Sequence, residues 1–284
     1  MIRFTENEIE QLIHDDAPLG DLTGFLLELN TQPGTMTVTA RSHLVASGTE
    51  EAARIYRNAD LQVHQCVPSG TICNPGDQIL VASGEVRGIH IAWRAAGTMV
   101  EFASGIATRT RQLVDAAKKG NVHTTVAGSR KHAPFVKKMA LKALMAGGGV
   151  PHRTGLSDTI LIFREHLCFL GGYEQLHHIV EKVRNRQRER VIVVEAHSEL
   201  DALAVAQSGA NFVQLDKMPV AAFVNCVRVC KKVNPQIGMI AAGGINAENA
   251  KAYAEAGADV LVTSWMYAAP PADIKVNICP EEIQ

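Results

Sequence analysis

Residues 191–264 open on Val191-Ile192-Val193-Val194-Glu195, then pass through Asn211-Phe212-Val213-Gln214-Leu215-Asp216 and Gly238-Met239-Ile240-Ala241-Ala242-Gly243-Gly244, and close on Asp259-Val260-Leu261-Val262-Thr263-Ser264. Each block is a short apolar run that ends in polar residues or glycine, and the blocks start about 20 to 27 residues apart, with helical apolar spacing between them. Val191 to Val194 is apolar throughout, as a strand covered on both faces must be. Ser198 stands three residues before Asp201, a capping-box-like start to the following helix. This strand–helix rhythm predicts a parallel sheet or barrel. Upstream, residues 122–127 and 159–163 read as two further strands. Six evident strands are fewer than the eight of a closed barrel.

Before about residue 107 the texture is different. Residues 5–15, 50–58 and 91–102 have helical apolar spacing, and residues 36–40 alternate as a strand does. Residues 61–67 and 78–83 read as strands on either side of the turn Cys73-Asn74-Pro75-Gly76-Asp77. The expected division is an N-terminal domain over 1–106 and a strand–helix domain over 107–269. Pro270-Pro271 ends the last helical pattern, and residues 270–284 are expected to pack back on the first domain. No short repeat and no low-complexity segment interrupts this.

Composition bounds the function. The chain has 284 residues, is 46% hydrophobic and 20% charged, and carries a formal net charge of −1. It can bury a sizeable core, and it has no basic field for nucleic acid. Any anionic ligand must therefore be met by a local cluster of cations. The six cysteines form no Cys-x-x-Cys pair, and Cys226 and Cys230 lie four apart on a helical pattern, which predicts a buried helix face rather than a zinc site. Low cysteine use fits a reducing compartment. No secretory leader pattern and no membrane-length apolar run is visible, so a cytoplasmic protein without a membrane partner is expected.

In parallel α/β architectures the chemistry gathers at the carboxyl ends of the strands. Ser129-Arg130-Lys131 follows the first strand of the second domain, Gly147-Gly148-Gly149-Val150-Pro151-His152-Arg153 precedes the second, and Glu195, Asp216-Lys217, Gly243-Gly244 and Ser264 end the other four. Arg130, Lys131, His152 and Arg153 supply cations. Glu195 and Asp216 supply carboxylates suited to a hydrated Mg²⁺. Gly243-Gly244 before a helix offers bare backbone N–H groups, which suit phosphate. Together these point to a phosphorylated sugar. Each piece also has a bland structural reading: Arg130-Lys131 as a solvated turn, Gly243-Gly244 as a helix start, Gly147 to Gly149 as a loop, Asp158 as a turn former. Glu195 at the end of an apolar strand is harder to dismiss, because a carboxylate there must be paired or wet. The cation run Arg184, Arg186, Arg188, Arg190 reads as a solvated face.

The ordered motifs resemble the quinolinate phosphoribosyltransferase (nicotinate-nucleotide pyrophosphorylase) family, and within it the ModD-type branch associated with molybdate-uptake operons. Asp15-Asp16-Ala17-Pro18-Leu19-Gly20-Asp21-Leu22-Thr23 resembles the family's E-D-x-x-x-G-D-x-T segment, and Ser104-Gly105-Ile106-Ala107-Thr108 its S-G-I-A-T segment. Ser129 to Pro134 resembles T-R-K-T-x-P. Gly147 to Arg153 with Leu156-Ser157-Asp158 resembles G-G-G-x-x-H-R-x-x-L-x-D. Glu195 and Asp216, which are 21 apart, resemble the second Glu of E-V-E-V and the Asp of L-D-N, and Ala242-Gly243-Gly244-Ile245 resembles S-G-G-I.

The resemblance implies an N-terminal α/β sandwich and an incomplete, six- to seven-stranded α/β barrel. It implies a homodimer, or a higher assembly of dimers, in which Arg94 of one subunit reaches the site of the other. The implied substrates are phosphoribosyl pyrophosphate (PRPP) with Mg²⁺ and a small nitrogen-heterocyclic acid. Lys131 with the metal would stabilise the departing pyrophosphate. Glu195 and Asp216 would hold the ribose hydroxyls and the metal's waters. Gly243, Gly244 and Ser264 would seat the 5′-phosphate, and Arg94, Arg130, His152 and Arg153 the acceptor.

Three departures from the pattern matter. Phe163, in Leu161-Ile162-Phe163-Arg164-Glu165-His166, stands where the family carries a substrate-binding Lys, and Arg164 next door should face the other way. Trp93 replaces the Glu before Arg94. Ala242 replaces a phosphate-facing Ser, while Ser264 replaces a nearby Gly. The first two changes favour an aromatic or less charged acceptor than a dicarboxylate such as quinolinate. Two other readings stay open: a barrel lyase or isomerase using Lys131 or Glu195 as acid or base, and a non-catalytic ligand-binding homologue that keeps the PRPP site.

Overall fold

The computed structural model describes residues 2–29 and 31–281, so residues 282–284 of the expected returning tail lie outside it. The chain divides into two compact units: Met1–Arg111, His132–Gly148 and Met266–Gln284 form the first, and Gln112–Lys131 and Gly149–Trp265 the second.

In the first unit a four-stranded antiparallel sheet has the order Ile274–Pro280, Pro33–Ala40, Gln78–Glu85, Gln62–Cys66. Pro33–Ala40 buries Met36, Val38 and Ala40 and leaves the residues between them half exposed, the period of two of a strand with one covered face. The core beneath it is built from Ile9, Ile55, Tyr56, Ile79, Leu80 and Ile89. The segment after Pro271 pairs with Pro33–Ala40 from Ala40–Ile274 to Gly34–Pro280, so it returns to this sheet as a strand.

Helix Glu6–Asp16 begins at a full capping box: the Thr5 hydroxyl accepts from the Glu8 N–H and the Glu8 carboxylate accepts from the Thr5 N–H. The Lys138 ammonium, 2.6 Å away, and the Thr5 backbone N–H hold the Glu8 carboxyl down at about 2. Lys142 reaches Glu50 at 3.0 Å and the buried Glu51 at 2.5 Å. These pairs tie helix Lys137–Ala146 to the first unit, in which it groups although it follows a strand of the second.

The apolar pattern at 91–102 belongs to a helix of 35 residues, Val86–Gly120, which runs through the point near 106 where the sequence texture changes. It starts in the first unit and ends in the second.

The second unit holds the parallel sheet. Its strands are β1 (Thr125–Gly128), β2 (Val150–Pro151), β3 (Ile160–Ile162), β4 (Ile192–Ala196), β5 (Phe212–Asp216), β6 (Gly238–Ala242) and β7 (Val260–Thr263). Seven strands run in the order β2-β1-β7-β6-β5-β4-β3, every neighbouring pair parallel. The two edge strands do not pair with each other, so the sheet is an incomplete barrel. β2 is the strand the sequence pattern did not show. Two residues are too short for periodicity to register, and Val150-Pro151 follows three glycines.

Ala127, Leu161, Val193, Ile240, Ala242 and Val262, one or two from each of five strands, form the packed inner cluster. Burying each of Leu161, Val193 and Ile240 contributes roughly 1.5–3 kcal/mol. Outside the sheet, helix Val220–Val233 buries Phe223, Cys226 and Cys230, which places the two cysteines on the apolar helix face their spacing predicted. Ser198 caps helix Glu199–Gln207 by accepting from the Asp201 N–H.

Candidate active site

The inner cluster and the polar residues are successive steps on the same strand faces. On β4, Val193 is in the cluster and Glu195, two residues on, shares its face. On β5, Phe212 packs against the cluster and Gln214 and Asp216 follow at the same period. Phe163 repeats Leu161, and Ser264 repeats Val262. At the carboxyl end the apolar interior therefore gives way to polar side chains, and these line one cavity of about 340 Å³.

The cavity brings together Arg130, Lys131, His152 and Arg153, then Glu195 and Asp216, then Gly243, Gly244 and Ser264. Arg94 is not among them. It lies in the first unit on helix Val86–Gly120, where its guanidinium donates to Glu101 at 2.6 Å and to Thr98 at 3.2 Å and sits 5.5 Å from the Trp93 ring centroid.

Glu195 is the most constrained acid. Its side chain is 12% exposed. Gln214 Nε2 donates to Oε2 at 2.9 Å, and His197 Nε2 lies 3.3 Å from Oε1. The Tyr173 hydroxyl donates to the Glu195 backbone carbonyl at 2.8 Å. Burial raises the Glu195 pKa above the ordinary carboxylate range, and the Asp216 charge adds to this against the opposing Gln214 and His197 contacts.

The cationic wall has its own constraints. Arg153 is 8% exposed, takes part in none of the ion pairs among the described residues, and places its guanidinium 5.8 Å from the Phe163 ring centroid. Burial, and then Arg130, lower its pKa. The Asp158 carboxylate opposes that lowering without forming an ion pair with Arg153, so the buried guanidinium is left able to meet an anion. His152 is pushed down to about 4 by burial and by Arg153, so it is neutral at pH 7 and presents a neutral imidazole to a ligand. Its backbone N–H donates to the Gly128 carbonyl at 3.0 Å. Ser129 shapes the turn before Lys131 by accepting from the Lys131 N–H at 3.1 Å. Asp158 is the turn former of the bland reading: the Thr154 N–H and hydroxyl both donate to it.

The glycine pocket follows from backbone geometry. Gly243 has φ +79°, and a Cβ there would lie 2.6 Å from Asp216 Oδ1 and 2.7 Å from Lys217 Cγ. Only glycine lets the loop after β6 pass so close to the end of β5. Lys217 itself sits at φ 52°, held by its N–H donating to the Ala242 carbonyl at 2.7 Å. Thr263 fixes the neighbouring loop by donating to the Ile245 carbonyl at 2.7 Å and accepting from the Trp265 N–H at 3.0 Å.

Phe163 lines the cavity, stacked on His166 at 5.7 Å between ring centroids. Arg164 begins the next helical turn, Arg164–Leu167, and is exposed. Gln214 and Lys217 also line the cavity and were not assigned from the sequence. Gln214 had a readable signal, an amide inside the apolar strand Phe212-Val213-Gln214-Leu215. Lys217 had only its place after Asp216 at a strand end, and the left-handed turn is what puts it beside Gly243.

Among the described residues no helix is long and apolar enough to cross a membrane. The family described as quinolinate phosphoribosyl transferase matches twice, its N-terminal domain over residues 21–104 and its C-terminal domain over residues 106–277. A ModD protein of Rhodobacter capsulatus, named as a pyrophosphorylase, is 36% identical over 253 residues, covering 88% of this chain and 96% of that one. A like-named protein of Pasteurella multocida is 30% identical over 278 residues, covering 98% and 99%. The solved structure of the nicotinate-nucleotide pyrophosphorylase from Francisella tularensis shares the fold, with a TM-score of 0.88 at 22% identity, over 98% of this chain and 99% of that one. The matched domains span nearly the whole chain in the order its two units and its motifs require, and the chain belongs to the quinolinate phosphoribosyl transferase family.

Proposed function

We propose that the chain is a pentosyltransferase that moves a 5-phosphoribosyl group from PRPP to the ring nitrogen of a heterocyclic acid and releases pyrophosphate. The observation that carries this reading is the division of charge within one cavity: two strand-end acids, a buried unpaired guanidinium with Arg130 and Lys131 beside it, and a glycine loop that only glycine can form.

In the reaction the nitrogen lone pair forms the bond to C1 of the ribose, and the C1–oxygen bond breaks with its electron pair leaving on pyrophosphate. Positive charge grows on the ribose ring, where Glu195 and Asp216 oppose it and hold the hydroxyls. Negative charge grows on the leaving group, which Lys131 would neutralise. Gly243, Gly244 and Ser264 would seat the 5′-phosphate through N–H and hydroxyl donors. Arg130, His152 and Arg153 would bind the acceptor acid, and much of the rate would come from positioning two reactants.

Among the described residues no three His, Cys, Asp or Glu side chains cluster as a metal cage. Glu195 and Asp216, two carboxylates on one cavity, would hold Mg²⁺ through its waters and share it with substrate phosphates, the ion's usual arrangement. Bound there, Mg²⁺ would supply charge neutralisation at the pyrophosphate.

In this reading the working form is a homodimer, with Arg94 of the second subunit completing the acceptor site, and the protein acts in the cytoplasm. A link to molybdate uptake has support only from the ModD names of the relatives. Phe163, an apolar ring in the acceptor wall, favours an acceptor less charged than quinolinate. It is also the observation that keeps a second reading, a non-catalytic binder that retains the PRPP site.

The test is pyrophosphate release from PRPP and Mg²⁺ against a panel of pyridine, pyrimidine and pterin-like acids. Release with at least one acceptor, lost in Lys131→Ala and Glu195→Ala, is expected. PRPP binding without turnover across the panel would select the binder. Absence of PRPP binding, or its retention at wild-type strength in both variants, would overturn the site.

A further inference from the structure

Gln214 lies at the centre of the inner face of the second unit's sheet. It is 5% exposed, opposite Glu195 on β4 and Ile240 on β6. Its Nε2 donates to Glu195 Oε2 at 2.9 Å, while its Oε1 is buried and has no hydrogen-bond partner. The amide has only one sensible orientation, because turning it over would set a carbonyl against a carboxylate. The acceptor end is thus left over in a cavity whose neighbouring inner residues on β6 and β7, Ile240, Ala242 and Val262, offer no donor. Buried acceptors are nearly always satisfied, and of the orphaned buried side-chain atoms this one belongs to a residue that lines the strand-end cavity, where a ligand can bring the missing donor.

The neighbours say what kind of donor. Glu195 and Asp216, which line the same cavity as Gln214, are also acceptors when ionised, so all three residues can accept there. Phosphate groups and carboxylates carry no donors for such acceptors, and Arg130, Lys131 and Arg153 already suit them. A sugar diol supplies two O–H groups on adjacent carbons, the spacing that adjacent strand ends can meet. We infer that Gln214 is a ligand-contacting residue whose Oε1 accepts a hydrogen bond from a ring hydroxyl of the bound pentose phosphate, while its Nε2 holds Glu195 for the neighbouring hydroxyl. This rests on the phosphoribosyl reading above and adds to it a residue that discriminates the hydroxylated sugar.

The test is calorimetric binding of ribose 5-phosphate, 2-deoxyribose 5-phosphate and 3-deoxyribose 5-phosphate. The proteins are wild type, Gln214→Met, Glu195→Gln and the double variant, each checked for an intact unfolding transition. Gln214→Leu is the substitute if the Met variant does not fold. Wild type is expected to prefer ribose 5-phosphate over at least one deoxy sugar by about tenfold, the size of one hydrogen bond to a buried acceptor. In Gln214→Met that ratio should fall to about two or less, and Gln214→Met should still lower it in the Glu195→Gln background. An unchanged ratio in folded Gln214→Met, or no further effect in the Glu195→Gln background, overturns the hydroxyl contact alone. Failure of wild type to bind any of the three sugars overturns the phosphoribosyl reading beneath it.

Discussion

Alanine at Gly243 and alanine at Gly244 pose the same backbone problem and different steric ones. Both glycines lie in the left-handed region, at φ +79° and +72°. A side chain there costs about 1–2 kcal/mol. At Gly244 a Cβ meets nothing within 4 Å, so the backbone cost is the whole cost. At Gly243 the Cβ would meet Asp216 Oδ1 at 2.6 Å, Lys217 Cγ at 2.7 Å and the Lys217 nitrogen at 3.1 Å. The Lys217 nitrogen is tied to the Ala242 carbonyl at 2.7 Å, so the Asp216 carboxylate is the group that yields. Displacing packed groups adds about 1–3 kcal/mol. Taking the middle of each range, about 1.5 kcal/mol for Gly244→Ala and about 3.5 kcal/mol for Gly243→Ala, at about 2–4 °C per kcal/mol, Tm should fall by about 3–6 °C and about 7–14 °C. PRPP affinity should fall more in Gly243→Ala, because the displaced carboxylate belongs to the sugar site. Differential scanning calorimetry and titration with PRPP measure both. Equal Tm losses, together with wild-type PRPP affinity in Gly243→Ala, would refute the reasoning that the loop after β6 is built around Asp216.

The raised pKa of Glu195 means that its folded-state stability contribution is fully present below the unfolded carboxylate value and is lost as pH rises through the raised folded value. Glu195→Gln is therefore expected to unfold at a higher temperature than wild type near pH 7 while losing transfer activity, with the Tm gap closing on acidification. A lower Tm at every pH counts against this. For His152 the sign is opposite: its folded pKa near 4 lies below the ordinary 6.5, so its contribution is present above 6.5 and is lost as pH falls from there to about 4. An NMR titration should find its midpoint near 4, and a midpoint above about 6 contradicts the burial argument. Phe163→Lys adds an ammonium beside Arg153, so pyrophosphate release with a pyridine dicarboxylate should rise relative to a monocarboxylate. An unchanged ratio would remove Phe163 from the acceptor wall.

The sequence by itself determined the strand–helix rhythm, since a strand buried on both faces must be apolar along its length: of the run Val191 to Val194, Ile192, Val193 and Val194 are the buried strand and Val191 lies exposed just before it. It determined the strand-end residues for the same reason. A chain that alternates inward apolar side chains and then places Glu195, Asp216 or a pair of glycines has reached the rim. What it did not carry lies in elements too short or too long for a period to resolve: the two-residue β2, and helix Val86–Gly120, which crosses a change of texture without ending. The placement of helix Lys137–Ala146 was also beyond it, because the ion pairs of Lys138 and Lys142 join residues about a hundred positions apart. Only the tertiary structure decided that Gln214 grips Glu195, that Arg153 is buried against Phe163 and that Lys217 turns beside Gly243. Those facts depend on which strands become neighbours and in what register. Local sequence sets the face a side chain takes, and the pairing of distant strands sets what that side chain meets.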